Sequence, residues 1–312
     1  MKTSVMISKN IHQRAFDIFK EHNILTSVLK TKESLMDECQ KHQALICMLS
    51  DTIDESFLKA NSHLKAIANY AVGYNNIDLA YCKKLKIPVS NTPDVLTNAT
   101  AELAFSLLLA CSRHLKSALH NAELGQWKAW EPLGFLGREL HGQTLGVIGF
   151  GRIGQAFAKL CHQAFNMKVV YTAKTEKDFT WAQRVKHAEL MQNSDIISLH
   201  CPLNQDTYKL LNKQSFQMMQ KQPIVINTAR GEVIDQEALV EALQENQIYA
   251  AGLDVTTPEP LPREHPLYLA PNVLITPHIG SATESARSAM AEICAKNIIA
   301  GLRGQALPQS LY

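Results

Sequence analysis

Residues 145–154, LGVIGFGRIG, constrain the fold more than any other part of the chain. An apolar, β-branched stretch runs into G-x-G-x-x-G, with Gly149, Gly151 and Gly154 as its glycines, and a helix-like segment follows over 155–164. The first glycine permits a tight turn, the second lets the backbone approach a pyrophosphate, and the third lets the helix pack closely on the strand. The helix N-terminus then turns its N–H groups towards the anion. The glycines alone are weak evidence, because a glycine-rich βα turn can also carry no ligand. Strand, turn and helix in this order point to a dinucleotide site.

The surroundings repeat the same grammar. From Thr3, short β-branched runs alternate with helix-like segments through ALICML, LKAIANYAV and IPVSN. A second series starts at TLGVIGFG and continues through KVVYTA, SDIISLHCPL, PIVINTARG, YAAGLDV and NVLITPHIG. Strand and helix in turn read as βαβ units on parallel sheets. The expectation is an α/β protein of two doubly wound parallel-sheet domains. Between the series, residues 97–124 read as one long apolar-periodic helix, opened by Thr97 and Asn98 as candidate caps and long enough to connect domains. The segment 284–301 reads as an amphipathic helix that returns to the first domain, before a polar end without structure signals.

Composition closes off other classes. The 312 residues are 46% hydrophobic and 19% charged, with a formal net charge of +2. That is ample for a packed core and offers no electrostatic footprint for nucleic acid or a membrane surface. The seven cysteines are scattered and never form C-x-x-C, which argues against a disulfide framework or a zinc site and for a reducing cytoplasm. No secretory signal is evident at residues 1–9. The longest stretch free of Asp, Glu, Lys and Arg, residues 265–283, holds three prolines and two histidines and cannot be a membrane helix.

The coenzyme type turns on the end of the strand at 168–172. A carboxylate there would bind the ribose 2′-hydroxyl of NAD, but the position falls on Ala173, and Lys174 and Thr175 follow. A cation beside an absent carboxylate suits the 2′-phosphate of NADP. Glu176 is the alternative ribose ligand, and lysines on such loops are often merely solvated, so NADP(H) is preferred with NAD(H) as the alternative.

Three further segments end strands of the second series, where open α/β sheets bind ligands: 227–231 with Thr228, Ala229 and Arg230; 252–260 with Asp254 and Glu259; 277–281 with His278 and Gly280. Arginine offers a planar fork to a carboxylate. Histidine can deliver a proton to a carbonyl oxygen, and a carboxylate on its far nitrogen would favour the imidazolium. Together they suit reduction of a 2-oxo acid. Taken singly, Arg230 could serve a salt bridge, Glu259 a solvated loop and His278 a turn.

Seven ordered segments carry a wider resemblance: 69–79, 91–115, 146–158, 201–212, 227–235, 252–260 and 277–287. Over nearly its whole length the chain resembles the D-isomer-specific 2-hydroxyacid dehydrogenases, and among them the glyoxylate/hydroxypyruvate reductases. The resemblance implies Arg230 as substrate-orienting arginine, His278 as proton donor and Glu259 as its supporting acid. It implies Val72 and Gly73 as the loop holding the substrate carboxylate, with Leu49 lining the pocket. Arg152 and Ile153 fall at pyrophosphate contacts, Thr100 and Asp254 on the nicotinamide side, and Cys201, Pro202 and Thr207 at the wall around the adenosine half. Thr228, Ala229 and Gly280 complete the coenzyme set. The family architecture implies a Rossmann cofactor domain, residues 98–283, inserted into a smaller flavodoxin-like substrate domain, residues 1–97 and 284–312. It also implies a homodimer, with Trp127 and Trp130 in a segment that reaches towards the partner subunit or simply packs an interface. The expected reaction is reduction of glyoxylate or hydroxypyruvate to glycolate or D-glycerate. The alternatives are another D-2-hydroxy acid such as D-lactate, or a dinucleotide-sensing binding protein without turnover.

Overall fold

The computed structural model describes residues 3–312, which divide into two compact units. One runs to Leu96 and resumes over Ser281–Tyr312; the other is Thr97–Gly280.

The first unit alternates β1 (Ser4–Ile7), α1 (Gln13–Glu21), β2 (Leu25–Val28), α2 (Leu35–Cys39), β3 (Ala44–Cys47), α3 (Glu55–Ala60), β4 (Ala66–Asn69), α4 (Leu79–Leu85) and β5 (Val89–Ser90). Its sheet is parallel in the order β2-β1-β3-β4-β5, the flavodoxin-like winding. β3 and β4 are buried at every residue, as expected of strands covered on both faces. Side-chain caps start several helices: Ser34 accepts from the Asp37 amide, Asp54 from Phe57 and Asp78 from Tyr81.

In the second unit come α5 (Thr97–Ser112), α6 (Leu115–Glu123), β6 (Thr144–Ile148), α7 (Arg152–Phe165), β7 (Lys168–Thr172), β8 (Ala182–Arg184), α8 (His187–Asn193), β9 (Ile196–Leu199), α9 (Lys213–Gln217), β10 (Ile224–Asn227), α10 (Gln236–Gln244), β11 (Ala250–Leu253) and β12 (Val273–Ile275). The parallel order β8-β7-β6-β9-β10-β11-β12 reverses between β6 and β9, the switch point where such sheets bind ligands. β8 carries no strand signal in the sequence. It is a partly exposed edge strand of three residues, paired only to β7, with too little burial to impose an apolar pattern.

Two helical expectations are corrected. The long helix over 97–124 is two helices, broken where His114 takes a left-handed backbone, φ 52°. Tertiary bonds hold the break. His114 Nδ1 meets Asn272 Oδ1 at 3.1 Å, its Nε2 meets the Tyr249 hydroxyl, and Ser112 O accepts from Arg138 N. Thr97 opens α5 from inside rather than capping it, and α5 packs on α7, β10 and β11 of the second unit. The last helix, α11 (Glu284–Leu302), is not one-sided: Asn297–Gly301 are all buried. It packs on α1, β3 and β4, and a Cβ built on Gly301 would lie 2.4 Å from that of Ala66, so only glycine allows this approach. The polar end is also ordered. Leu311 N donates to Val89 O, Ser310 bridges antiparallel to Ser90, and Asn297 bonds Gln309 through both its amide oxygen and nitrogen.

Candidate functional site

Each glycine of the turn after β6 answers a different constraint. Gly149 has φ +91°, and a Cβ there would lie 2.5 Å from the Cys201 amide nitrogen, so the turn is pressed against the end of β9. A Cβ on Gly154 would lie 2.4 Å from Gly149 O, locking helix to turn. A Cβ on Gly151 would meet nothing, so that face of the loop opens to whatever the helix end receives. α7 begins inside the motif, at Arg152, and its N-cap Gly151 provides no side-chain cap. A helix N-terminus with an open approach and no built-in acceptor fits a pyrophosphate. Two buried polar atoms also lack a partner here, Thr228 Oγ1 after β10 and His200 Nδ1 after β9. Burial pushes His200 down to about 3, which keeps that imidazole neutral.

Behind the turn, Phe150 stacks on Tyr171 with centroids 4.0 Å apart, and Phe179 and Trp181 close the cluster. The Tyr171 hydroxyl accepts from Lys177 N at 2.8 Å and donates to Lys177 O at 3.1 Å, pinning the loop after β7. Lys174 and Thr175 lie exposed on that loop. The Lys174 Nζ lies 3.5 Å from Asp206 Oδ2, with both side chains largely exposed, and Arg184 of β8 donates to Lys174 O. Cys201 is buried, and burial pushes its thiol up to about 11. Thr207 Oγ1 donates to Pro202 O at 2.6 Å and accepts from Asn204 N, so Pro202 and Thr207 belong to one tight turn.

The ends of β10, β11 and β12 are tied to one another. Asn227 donates to Arg230 O and accepts from Ala229 N, folding the chain so that Arg230 follows the strand closely. A Cβ on Gly231 would lie 2.1 Å from Thr256 O, so the arginine loop and the loop after β11 are in direct contact. Arg230 donates to Ala229 O at 2.7 Å. Burial pulls its guanidinium below the ordinary value against the opposing pull of Glu259 and Glu232.

Asp254 is buried and accepts from the Thr276 hydroxyl at 2.6 Å, Ile279 N at 2.8 Å and Gly280 N at 2.7 Å. Burial raises its carboxyl, and those three bonds oppose the rise without overcoming it. The bonds fix the turn in which His278 sits at φ 54°, a left-handed backbone that costs a histidine of order 1 kcal/mol. Gly280 faces Asp254 and Thr100 of α5, so these three share one spot: a Cβ on Gly280 would be 3.1 Å from Asp254 Oδ2 and 3.4 Å from Thr100 Cγ2.

On that strained turn, His278 Nδ1 lies 2.8 Å from Glu259 Oε2, while Glu259 Oε1 accepts from Thr256 N. Burial pushes the Glu259 carboxyl up, but the bond and charge of His278, the Thr256 N–H and Arg230 hold it below its ordinary value. A carboxylate at Nδ1 fixes the ring tautomer and leaves Nε2 as the nitrogen able to exchange a proton. Gln236 supports the same loop. Its side-chain amide accepts from Thr257 N at 2.7 Å and donates to Thr257 O.

In the first unit, Leu49 follows β3, and Val72 and Gly73 follow β4; all three are half-buried. Three asparagines that sequence reasoning missed shape this loop. Asn91 donates to Val72 O and Asn69 to Gly73 O, both at 2.7 Å, while Asn76 donates to the carbonyls of Met48 and Asp51. Their signal was only that Asn69 ends β4 and Asn91 follows β5, where a short amide can replace backbone partners. With its carbonyls engaged by side chains, the loop is held in one conformation.

Among the described residues no group of His, Cys, Asp and Glu could hold a metal ion, and no helix is long and apolar enough to cross a membrane.

These features agree with known proteins. Residues 105–280 match the model of the D-isomer specific 2-hydroxyacid dehydrogenase NAD binding domain. The glyoxylate reductase of Pyrococcus horikoshii is 46% identical over 287 residues, covering 89% of this chain and 85% of its own. That of Thermococcus onnurineus is 41% identical over 321 residues, covering 99% and 95%. Among solved structures, a Thermus thermophilus protein superposes with a TM-score of 0.94 at 41% identity, covering 99% of this chain and 100% of that one. An NADPH-dependent glyoxylate/hydroxypyruvate reductase of Sinorhizobium meliloti, solved with NADP and malonate, gives 0.87 at 27%, covering 100% and 97%. The switch-point glycine turn, the histidine held by a carboxylate and this match over more than half the chain agree: the protein belongs to the D-isomer specific 2-hydroxyacid dehydrogenase family and binds a nicotinamide dinucleotide.

Proposed function

We propose that the protein is a reductase of small 2-oxo acids that converts glyoxylate or hydroxypyruvate to glycolate or D-glycerate, with NADPH preferred over NADH. The observation that carries the reading is the 2.8 Å contact of His278 Nδ1 with Glu259, on strand ends shared with Arg230. The named activities of the archaeal relatives and of the Sinorhizobium enzyme support the substrate class.

A reduced nicotinamide, when bound, would supply the hydride for C2. The protein holds and protonates. Arg230 grips the substrate carboxylate; in the first unit, the amides of Val72 and Gly73 and the side chain of Leu49 are the groups we assign to the substrate. His278, oriented through Nδ1 by Glu259, donates the proton from Nε2 to the carbonyl oxygen as C2 is reduced. Gly149, Gly151, Arg152, Ile153 and Gly154 receive the pyrophosphate. Thr100, Thr228, Ala229, Asp254 and Gly280 would hold the nicotinamide end, and Cys201, Pro202 and Thr207 the adenosine half. Lys174 and Thr175 face the 2′-phosphate.

The test is kcat/KM for glyoxylate, hydroxypyruvate, pyruvate and larger 2-oxo acids, each with NADPH and NADH. Higher kcat/KM for pyruvate would turn the reading towards D-lactate, and no turnover with any acid would leave a binding protein. His278→Ala should lower kcat by about 10² or more while coenzyme affinity stays within about twofold, in line with general-acid contributions. Undiminished turnover in that variant removes the proton-donor assignment.

We also propose a homodimer formed through the second unit. Trp127 and Trp130 are 73% and 83% exposed, and Leu119, Leu124, Leu133 and Leu136 add to the same apolar stretch of α6 and the chain beyond it. Exposed large apolar side chains gathered in one segment are what a protein interface would cover. Sedimentation velocity checks the mass. All seven cysteines are free and buried, which suits a reducing cytoplasm.

A further inference from the structure

Lys174 stands on the loop proposed to meet the coenzyme's 2′-phosphate, yet its ammonium already has an anion beside it. Asp206 Oδ2 lies 3.5 Å away, and both side chains are largely exposed. The two partners come from segments that are separately anchored. On one side, the Tyr171 hydroxyl holds both the N–H and the carbonyl of Lys177, and Arg184 donates to Lys174 O. On the other, Asn204 Oδ1 accepts from Asp206 N, and the Thr207 hydroxyl donates to Pro202 O. The pair therefore joins the end of β7 to the turn after β9, the two segments between which the adenosine half is proposed to lie.

We propose that Asp206 is a coenzyme-specificity residue: a built-in counter-anion that neutralises Lys174, restrains the affinity for NADPH and keeps NADH usable. This rests on the NADP reading of Lys174. The argument is electrostatic. A 2′-phosphate carries between one and two negative charges near neutral pH, so it gains from Lys174 but is repelled by a carboxylate a few ångströms from that ammonium. It must also displace the existing ion pair. NADH brings no anion to this spot, and the Lys174–Asp206 pair closes the loop for it without an unmatched cation. Because the pair is exposed, its influence is modest and salt-dependent.

The test is direct binding to the protein without substrate, by calorimetric titration of NADPH, NADH and the fragment 2′,5′-ADP, on wild type, Asp206→Asn, Lys174→Ala and the double variant. Asp206→Asn should tighten NADPH and 2′,5′-ADP by about two- to fivefold, the range of an exposed ion pair, while changing NADH by less than twofold. The gain should shrink at high salt, and in the Lys174→Ala background only the part due to direct repulsion between carboxylate and phosphate should remain. The KM values for the two coenzymes should follow the same pattern. If Lys174→Ala weakens NADPH more than NADH but Asp206→Asn shifts neither, or shifts both alike, the counter-anion role falls and the phosphate site stands. If Lys174→Ala affects both coenzymes equally, the phosphate site and the counter-anion role fall together. Asp206 donates to the turn only through its backbone, so the asparagine variant retains that bond and its melting temperature serves as the folding control.

Discussion

The two units share a parallel-sheet plan but restrain their strand-end loops with opposite chemistry. In the first, neutral amides do the work: Asn69, Asn76 and Asn91 take up four backbone carbonyls between Met48 and Gly73. In the second, carboxylates do it: Asp254 collects the Thr276 hydroxyl and two amides, and Glu259 collects Thr256 N and His278. The choice follows the partner. Carbonyls need donors, which a neutral amide supplies. Hydroxyls, backbone N–H groups and an imidazole N–H need an acceptor, which a carboxylate supplies with a charge that strengthens the bond. Loops tied down by their carbonyls and loops tied down by their donors thus call for different residues on the same scaffold.

The contrast can be broken by removing its members in turn. Asp254→Ala should cost the most, about 3 kcal/mol of unfolding free energy, because three donors, the Gly280 amide among them buried, lose their common acceptor. Urea unfolding measures it, and a loss under about 1 kcal/mol would show that the turn holds itself. Asn69→Ala should cost less, about 1–2 kcal/mol, since the Gly73 carbonyl keeps partial access to water. Its distinctive sign is kinetic: KM for the 2-oxo acid should rise several-fold with kcat nearly unchanged, and equal changes in both would deny the loop its binding role.

Glu259→Gln should move stability least and the pH profile most. Glu259 titrates below its ordinary value in the folded protein, so its stabilising contribution is present above the ordinary carboxylate pKa and fades as pH falls through the lowered one. The glutamine variant should therefore lose part of the wild type's acid dependence of melting temperature. The variant also loses the carboxylate that orients the ring, so kcat should fall by about tenfold or more while coenzyme affinity is unchanged. Undiminished kcat would show that His278 does not need Glu259 to hold it.

Much of this was legible in the sequence, for identifiable reasons. Glycine turns and buried strands carry signals that lie close together along the chain, whereas Arg230, Glu259 and His278 stood out by position only as strand-end residues and took their roles from the family resemblance. What escaped depends on distant partners. The break at His114 is imposed by Tyr249 and Asn272, more than 130 positions away, and nothing in residues 97–124 announces it. β8 is too exposed to show an apolar pattern, the burial of α11 on all sides at its end depends on Ala66 and its neighbours, and the asparagines look like ordinary turn residues until the carbonyls they serve are known.

The placement of α11 bears on biosynthesis. The helix that fills one side of the first sheet, against α1, β3 and β4, is translated only after all of residues 97–280. A nascent chain can therefore complete its nucleotide-binding half on the ribosome while the earlier-made half still exposes the apolar surface that awaits its final helix. That interval is when the growing polypeptide most needs protection from aggregation.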